Sequence, residues 1–286
     1  MRHPQGADDA RWQAPAGFAT IASVSGLSDR TRHEVEMHRQ VANMYRRRSG
    51  YAFAEDFQQE RNDILMSLAP ERSDARALDL GCGTGVMLDR LADRYPRVLG
   101  LDISEEMLEG YDLSGLAEGK TVHLARADMH ALPLAAGRFD VVVCRSALHH
   151  MEDEVAVLKE IARVLAPGGV LVLGEPANDN VLTRLARWWV RRRPSYGTLH
   201  TIDRAYTRGQ LRALLDAAGL EVKREVRFGF LAYPLCDNPD LVPVLKHLPG
   251  AAALGAALRS VDRFLSRVPG VRGQSWYTML EVGRSR

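Results

Sequence analysis

Cysteine is scarce in this sequence. The 286 residues include three, Cys82, Cys144 and Cys236, which lie far apart and show no metal-binding spacing. Two of them fall in stretches that we expect to be buried or to line a pocket, so a reducing, cytoplasmic setting is favoured. Clusters of carboxylates suited to a divalent cation are missing as well. The sequence therefore predicts no metal site.

Long apolar runs and an excess of one charge are also absent. No run approaches the roughly 18 residues of a membrane span, and the first residues, interrupted by Pro4 and Pro15, lack the apolar core of a signal peptide. Lys and Arg number 38 and Asp and Glu 36, giving a formal net charge of +2, so no overall field attracts nucleic acid or a membrane surface. These features predict a soluble intracellular protein without an integral membrane segment.

Internal repeats and low-complexity tracts do not occur either. From residue 76 the chain instead alternates between strand and helix patterns. The predicted strands are Arg76–Leu80, Arg97–Leu101, Thr121–Ala125, Phe139–Cys144, Val170–Leu173, one within Leu220–Phe230, and Ser275–Val282. The predicted helices are Val86–Tyr95, a helix capped by Ser104, Glu152–Leu165 and Thr207–Ala218. This alternation predicts a doubly wound α/β sheet.

The N-terminal part of the chain is predicted to lie outside this sheet. Residues 1–30 mix proline, glycine and charged residues without periodicity, so we expect a flexible N-terminal arm ahead of a domain spanning 31–286. Within 31–70, two helical patterns occur at Arg32–Arg48 and Phe53–Leu68. These helices either cover the mouth of a pocket or pack against the edge of the sheet.

Two insertions, 176–206 and 231–273, exceed ordinary connection lengths, so we expect helical subdomains that form an apolar substrate cap. The second contains helical patterns at Leu241–Leu248 and Ala251–Val268. The first contains one at Leu182–Arg193, with an apolar face formed by Leu182, Leu185, Ala186 and Trp189 and an opposite face formed by Arg184, Arg187 and Arg191. This helix either meets a lipid-linked or anionic substrate or forms a lid with Trp189 turned inward.

A glycine-rich turn follows the first predicted strand, in the sequence Leu78-Asp79-Leu80-Gly81-Cys82-Gly83-Thr84-Gly85. Glycines at alternate positions allow a sharp turn and leave room between the main chain and a ligand. The dinucleotide fingerprint requires a glycine where Val86 stands, so a ligand without a pyrophosphate fits better. Asp102 and Asp128 follow the next two strands, where their carboxylates can accept hydrogen bonds from ribose hydroxyls and an adenine amine.

This set of motifs resembles the class I S-adenosylmethionine-dependent methyltransferases, in the branch that modifies small molecules. The resemblance covers about Ala75 to Leu220. Besides the glycine turn it rests on Leu101-Asp102, Ala127-Asp128-Met129, Phe139-Asp140-Val141-Val142 and Leu165-Ala166-Pro167-Gly168-Gly169. It implies a Rossmann-like sheet of seven strands, the last antiparallel, with helical cap insertions, and S-adenosyl-L-methionine as the cofactor.

The resemblance also implies roles for individual residues. Near the amino-acid end of the cofactor it places Asp79 and the backbone of Gly81, Cys82, Gly83 and Gly85. It places Asp102 on the ribose, Ile103 and Met129 on either side of the adenine, and Asp128 on the adenine amine. Arg145, which follows the fourth predicted strand, is also assigned to cofactor binding.

The turn after the fourth predicted strand contains His149 and His150 and faces the transferred methyl group in the resembled family. Either histidine is a candidate general base toward a phenol, an alcohol or an acidic carbon, because histidine titrates near neutral pH. The alternative is a structural pair that is hydrogen-bonded to Glu152 or Asp153. Glu175, after the fifth predicted strand, is a carboxylate that we expect to point toward the substrate.

The resemblance predicts a methyltransferase for a small, largely apolar organic acceptor, in secondary or quinone- and lipid-related metabolism. O-methylation is the first expectation, and C- or N-methylation is close behind. The Asn/Asp-Pro-Pro-aromatic motif of amino-directed nucleic-acid methyltransferases is missing, so nucleic acid is not expected as a partner; a homodimer remains possible. Two alternatives stay open: a same-fold enzyme that uses the cofactor for cyclisation or decarboxylation, and a non-catalytic cofactor-binding scaffold.

Overall fold

The computed structural model describes residues 52–109, 111–112, 119–190, 204–237 and 248–285, together with residues 32, 35, 36 and 192. The predicted N-terminal arm and most of two predicted helices, Arg32–Arg48 and Leu241–Leu248, lie outside the described residues.

Strands and helices alternate along most of the described chain. The strands are β1 Arg76–Leu80, β2 Arg97–Asp102, β3 Thr121–Arg126, β4 Phe139–Arg145, β5 Leu165–Pro176, β6 Leu220–Phe228 and β7 Tyr277–Arg284. The helices are α1 Ala52–Met66, α2 Leu88–Arg94, α3 Glu105–Leu108, α4 Glu154–Val164, α5 Val181–Val190, α6 Arg208–Ala217 and α7 Ala251–Leu265. In the described part of the chain, no helix has both the length and the apolarity needed to cross a membrane.

The seven strands form one sheet in the order β3-β2-β1-β4-β5-β7-β6, in which β7 runs antiparallel to both of its neighbours. This arrangement confirms the predicted fold. The chain order reverses between β1 and β4, and ligands of open α/β sheets bind at such a switch point, outside the carboxyl ends of the strands. The residues that end β1, β2, β3 and β4 therefore meet at one edge of the sheet.

Side chains alternate across β1 and divide the core into two layers. Leu78 and Leu80 pack with residues of α4 and α6 on one face, whereas Ala77 packs with residues of α1 and α2 on the other. Successive side chains on a strand point to opposite faces, so Asp79 shares the α1 and α2 face with Ala77. A carboxylate is thus held inside an apolar layer, at the end of the strand where a ligand binds.

The predicted start of the fifth strand and one predicted side-chain cap are wrong. The Pro167–Gly169 segment does not separate a helix from a strand, because β5 already begins at Leu165. The Pro167–Gly169 segment bulges out of the ladder between the pairs Phe139–Leu165 and Val141–Val170, and a Cβ on Gly169 would lie 2.9 Å from the Phe139 carbonyl oxygen. Ser104 does not cap α3 through its side chain; its hydroxyl instead donates to Glu106 at 3.1 Å.

The structure disagrees with the lid alternative for α5 at two residues. Leu185, which that alternative turns inward, is 56% exposed. Arg187, expected in solvent, is half-buried, with its guanidinium carbon 5.4 Å from the centroid of the Trp276 ring. The cation–π contact stabilises the charge against this aromatic face, and the helix therefore turns a partly apolar face outward.

Candidate active site

The glycine turn is held tightly against the rest of the sheet edge. Gly81 adopts a φ of 73°, and its N–H donates to the Leu101 carbonyl at 2.8 Å. A Cβ at this position would lie 2.6 Å from both Ala147 Cβ and Met129 Cε, so only glycine fits. At Gly83, whose φ is 54°, a Cβ would meet no atom within 4 Å. The turn is thus packed at one glycine and open at the next.

Asp102, at the end of β2, holds the glycine turn through hydrogen bonds to backbone N–H groups. One carboxylate oxygen accepts from the Gly83 N–H at 2.8 Å, and the other accepts from the Ser104 N–H at 2.9 Å. Carboxylates form strong bonds with backbone N–H groups, so this side chain fixes the loop before any ligand arrives. The predicted ribose residue therefore also shapes the glycine turn.

Two more residues complete the surroundings of the turn. Cys82 is buried, burial raises the pKa of its thiol, and its carbonyl accepts from the Gly85 N–H at 2.9 Å. A Cβ on Gly85 would lie 2.3 Å from the ring of Tyr111, a residue that none of the sequence motifs includes. The Tyr111 hydroxyl donates to Asp89 at 2.6 Å, which fixes the ring over the turn.

Asp79 is buried at the end of β1 with an incomplete set of partners. It is 1% exposed, and one carboxylate oxygen has no hydrogen-bond partner among the described residues. Burial raises the pKa of this carboxyl to about 7, and the nearby Asp102 acts in the same direction, while Arg145 opposes both. Unpaired buried carboxylates are costly, so Asp79 is poised to bind a cation or a hydrogen-bond donor.

Arg145 lies on the same face of the sheet as Asp79. Asp79 pairs with Val143 across β1 and β4, and Arg145 is two residues further along β4. Its Nε is buried without a hydrogen-bond partner in the described structure, and burial, together with the like charge of Arg61, lowers its pKa. Asp237 and Asp79 oppose this lowering of the pKa, but the unpartnered Nε leaves a buried donor that a further anion can bind.

Arg61 of α1 was not identified from the sequence. It is 4% exposed, and its Nη1 donates to Asp237 at 2.5 Å. Phe57 and Leu65, four residues away on either side, are fully buried, so Arg61 occupies the buried face of an amphipathic helix. An arginine in the middle of an apolar helical face was the signal available in the sequence.

The adenine side of the predicted site contains a second residue that was not identified from the sequence, His130. One oxygen of Asp128 accepts from the His130 N–H at 2.9 Å and bonds to the ring Nδ1 at 2.8 Å. These bonds lower the pKa of Asp128 and raise that of His130. Met129 is buried, with its Cε near Gly81, and Ile103 is half-buried at the end of β2.

The turn after β4 is fixed by Glu175, which is fully buried. One of its carboxylate oxygens accepts from the N–H groups of Ala147 and Leu148 at 3.2 and 2.9 Å, and the other bonds to Nδ1 of His149 at 2.7 Å. The predicted bonds of the histidine pair to Glu152 or Asp153 are therefore wrong for His149. The expectation that Glu175 points toward substrate is also wrong, since the turn uses both of its oxygens.

His149 and His150 differ in their surroundings. His149 is 8% exposed and is anchored by Glu175, whereas His150 is half-buried, with its ring centroid 4.1 Å from that of His149. Ser146, which begins the turn, has a φ of 54°, and its hydroxyl lies 2.7 Å from the Tyr277 hydroxyl. Left-handed backbone at a residue with a side chain is strained and concentrates at functional sites.

Comparison with known proteins decides the family. A family model described as a methyltransferase domain matches residues 78–173. The malonyl-[acyl-carrier protein] O-methyltransferase of Enterobacter lignolyticus is 31% identical over 212 residues, which cover 73% of this chain and 78% of that protein. The chain belongs to the class I S-adenosylmethionine-dependent methyltransferases. The glycine turn and the carboxylates at the ends of β1 and β2 lie inside the matched range.

Two further comparisons define how far this likeness extends. An uncharacterized 37.1 kDa protein in transposon TN4556 of Streptomyces fradiae is 31% identical, over 77% of this methyltransferase but 61% of that protein. The chain thus spans less than two thirds of that relative. The crystal structure of the [4+2]-cyclase SpnF superposes with a TM-score of 0.54, covering 79% of this methyltransferase and 80% of the cyclase, at 22% identity. At this identity the likeness concerns the fold alone.

The residues of the site fit the cofactor of this family. S-adenosylmethionine carries an ammonium group, a carboxylate, a ribose and an adenine. The structure offers an unpartnered carboxylate oxygen on Asp79, an unpartnered guanidinium nitrogen on Arg145 and open space beside Gly83. Among the described residues, no cluster of three or more His, Cys, Asp or Glu side chains is arranged for a metal ion.

Proposed function

We propose that this methyltransferase transfers the methyl group of S-adenosylmethionine to a hydroxyl oxygen of a small, largely apolar organic acceptor. The observation that carries the proposal is the 2.7 Å bond between His149 Nδ1 and the buried carboxylate of Glu175. His149 lies in the turn after β4, whose Ala147 packs directly against the glycine turn, and Glu175 reaches it from β5. A base oriented in this way is needed for an acceptor that must lose a proton.

The charged groups on the α1 face support the assignment of the amino-acid end of the cofactor. Asp237 already neutralises Arg61 at 2.5 Å, so Arg145 is the guanidinium left to bind the cofactor carboxylate. Asp79 lies on the same face and would accept from the cofactor ammonium, which favours its ionised form. Each buried charge then has a partner of opposite sign, as buried charges require.

The adenosine end follows the order of the strands. Asp102 would accept from the ribose hydroxyls in addition to holding Gly83 and Ser104. One oxygen of Asp128 is used by His130, and the other is available for the adenine amine. Met129 and Ile103 would cover the two faces of the adenine ring.

Glu175 determines which nitrogen of His149 is basic. A carboxylate only accepts hydrogen bonds, so Nδ1 donates and Nε2 is left unprotonated. The same logic orients the histidine of hydrolytic triads. In the proposed step, Nε2 takes the acceptor's hydroxyl proton as the oxygen–carbon bond forms and the carbon–sulfur bond breaks. The cofactor supplies the methyl group from a sulfonium, whose sulfur becomes a neutral thioether.

The decisive variant is Glu175→Gln. The glutamine oxygen still accepts from Ala147 and Leu148, but its NH2 group must donate to Nδ1 of His149. The ring proton then moves to Nε2, and the base is lost without loss of the turn. We expect turnover to fall by about 10²–10⁴-fold with unchanged cofactor affinity, measured by release of S-adenosylhomocysteine with a panel of phenols and alcohols and by calorimetry.

His149→Gln is expected to cause a similar loss, and His123→Gln, on β3, serves as the matched control with wild-type turnover. Full activity of Glu175→Gln would show that Glu175 only supports the turn. Single variants of His149 and His150 would then have to decide which histidine, if either, is the general base. A protein that binds the cofactor tightly but releases no S-adenosylhomocysteine with any acceptor would contradict methyl transfer and favour a scaffold or a cyclase-type reaction.

The wider setting is part of the same proposal. We place the reaction in secondary or quinone- and lipid-related metabolism, since an apolar acceptor matches the helical insertions beside the site. The malonyl-[acyl-carrier protein] relative is an O-methyltransferase by name, which supports an oxygen acceptor. All three cysteines are free and buried, in keeping with a reducing cytoplasm.

A further inference from the structure

Exposed apolar side chains are concentrated in the two insertions. Nine large hydrophobic side chains are exposed among the described residues, and eight of them belong to 176–206 or 231–273: Val181, Leu185, Trp188, Leu231, Leu248, Leu254, Val261 and Phe264. The ninth, Val86, lies in the glycine turn. Scattered single residues of this kind are normal, but clustering marks an interaction surface.

Helix α5 presents such a cluster along one face. Val181, Leu185 and Trp188 are 59%, 56% and 53% exposed. Their spacing of four and three residues places them within one narrow arc of a helix with 3.6 residues per turn. Thr183, on the opposite side, is fully buried. The helix therefore packs through its polar threonine side and turns three large apolar side chains outward.

Cationic side chains border this face. Arg184 is exposed next to Leu185, and the Arg192 guanidinium carbon lies 3.6 Å from the centroid of the Trp188 ring. The sequence shows the same bias on a larger scale. The two insertions contain 11 Lys and Arg against 5 Asp and Glu, a net charge of +6, whereas the whole chain has +2. The rest of the chain is consequently negative.

We propose that the outer face of α5, formed by Val181, Arg184, Leu185 and Trp188 together with Arg192, docks on the surface of an anionic lipid membrane. An apolar face flanked by arginines, with a tryptophan at the boundary, matches a helix lying in the headgroup region. Each arginine near an anionic surface adds attraction. This proposal does not depend on the methyl-transfer chemistry, because it concerns only where the protein docks.

A second copy of the chain fits this face less well. Twofold contacts bring the same patch of both copies together, so the positive charges of Arg184 and Arg192 on one copy would lie close to those on the other. An anionic bilayer instead offers negative charge to the arginines and an apolar interior to the leucine and tryptophan. Charge complementarity therefore selects the membrane.

The test is co-sedimentation with phosphatidylcholine vesicles prepared with and without phosphatidylglycerol, over a range of salt concentrations. We expect binding only to the phosphatidylglycerol vesicles, weakening as salt rises. The double variant Arg184→Glu with Arg192→Glu should weaken binding by about a hundredfold or more. Leu185→Ser with Trp188→Ser should weaken it by at least about tenfold, and Lys159→Glu, on the exposed side of α4, should leave it unchanged.

Cofactor affinity and S-adenosylhomocysteine release, measured without lipid, serve as the folding check and separate this proposal from the proposed reaction. Absence of binding to anionic vesicles at low salt would overturn the proposal, as would equal binding of the α5 variants and the wild type. A concentration-dependent dimer that the same α5 substitutions dissociate would assign the face to a second copy and likewise overturn it.

Discussion

Asp79 must satisfy two opposing requirements. It lies among the apolar residues of the α1 and α2 layer, where burial raises the pKa of its carboxyl to about 7. In the proposed cofactor site it must nevertheless ionise to hold the ammonium group. A positive partner stabilises the ionised carboxyl and lowers its pKa, so cofactor binding and loss of the Asp79 proton are coupled.

The coupling predicts a pH dependence of cofactor affinity. Below pH 7 the unbound Asp79 carries a proton that must leave on binding, so affinity should fall as pH falls, by up to about tenfold per pH unit. Above pH 7 the group is already ionised, and affinity should level off. Calorimetry between about pH 5.5 and 7.5 tests this, with Asp79→Asn expected to bind more weakly and without the slope. The bond to Asp128 raises the pKa of His130, and a slope that is lost in His130→Gln but kept in Asp79→Asn would contradict the assignment.

Single residues also show where sequence reasoning succeeds and fails. Asp102 and Asp128 were found because they end strands that the apolar pattern makes visible. Arg61 was missed because it lies on a helix far from the motifs in the sequence. His130 was missed because nothing in the sequence distinguishes it from an ordinary histidine in a turn. Their importance depends on partners, Asp237 and Asp128, of which the first is 176 residues away.

Among the larger elements, α7 is joined to the end of β6 by one carboxylate. Asp262 is 5% exposed and accepts from the N–H groups of Phe230, Leu231 and Ala232 at 2.8, 2.8 and 3.1 Å. These three N–H groups lie beyond the end of β6, where no neighbouring strand in the described part of the chain offers a carbonyl as acceptor. Helix α7 also packs on α1, where Arg259 and Arg263 pair with Glu60. The second insertion is thus fastened to the helix that carries Arg61.

Asp262→Ala is expected to lower the free energy of unfolding by about 2–4 kcal/mol, because it leaves buried N–H groups without an acceptor. Asp262→Asn retains one oxygen as acceptor, so its free energy of unfolding should fall by about half as much. Urea unfolding measures both changes, and cofactor affinity of the folded variants should match the wild type. A change within about 0.5 kcal/mol for the alanine variant, as is usual for surface positions, would show that water replaces the carboxylate.

At the scale of the whole molecule, the proposed cofactor contacts come from β1, β2, β3 and β4 together with the turns that follow them. A ligand that binds only the folded state stabilises all of these elements at once. S-adenosylhomocysteine at about 100 times its dissociation constant should raise the free energy of unfolding by about 2.7 kcal/mol. Binding and global stability should therefore respond to the same substitutions at the sheet edge.

Asp102→Ala is expected to weaken binding of S-adenosylhomocysteine by about ten- to a hundredfold, because it removes charge-assisted bonds to the ribose. At that ligand concentration the stabilisation should shrink by about 1.3–2.3 kcal/mol. Thermal unfolding with and without ligand measures this difference. Asp140→Asn is the matched control: its carboxylate accepts from the Arg76 N–H at the opposite edge of the sheet, so the response to ligand should be retained. An undiminished response in Asp102→Ala would remove Asp102 from the cofactor site.

The sequence by itself determined the sheet and the family. Short apolar runs, glycine at the turn and aspartates at the strand ends are local features. The family resemblance carried by these motifs implied seven strands with the last antiparallel, which the structure confirms. The same resemblance, which rests on the glycine turn together with Asp102 and Asp128, implied S-adenosylmethionine as the methyl donor.

Only the tertiary structure decided how these residues work together. The bond between His149 and Glu175 joins residues 26 positions apart, and Arg61 reaches the site only because α1 packs beside the sheet. The sequence left the buried face of α5 undecided for the same reason: a helical wheel shows which side chains share a face, but the partner that the helix packs against decides which face is buried. Long-range packing, rather than local pattern, sets the surroundings in which a charge is paired, buried or exposed.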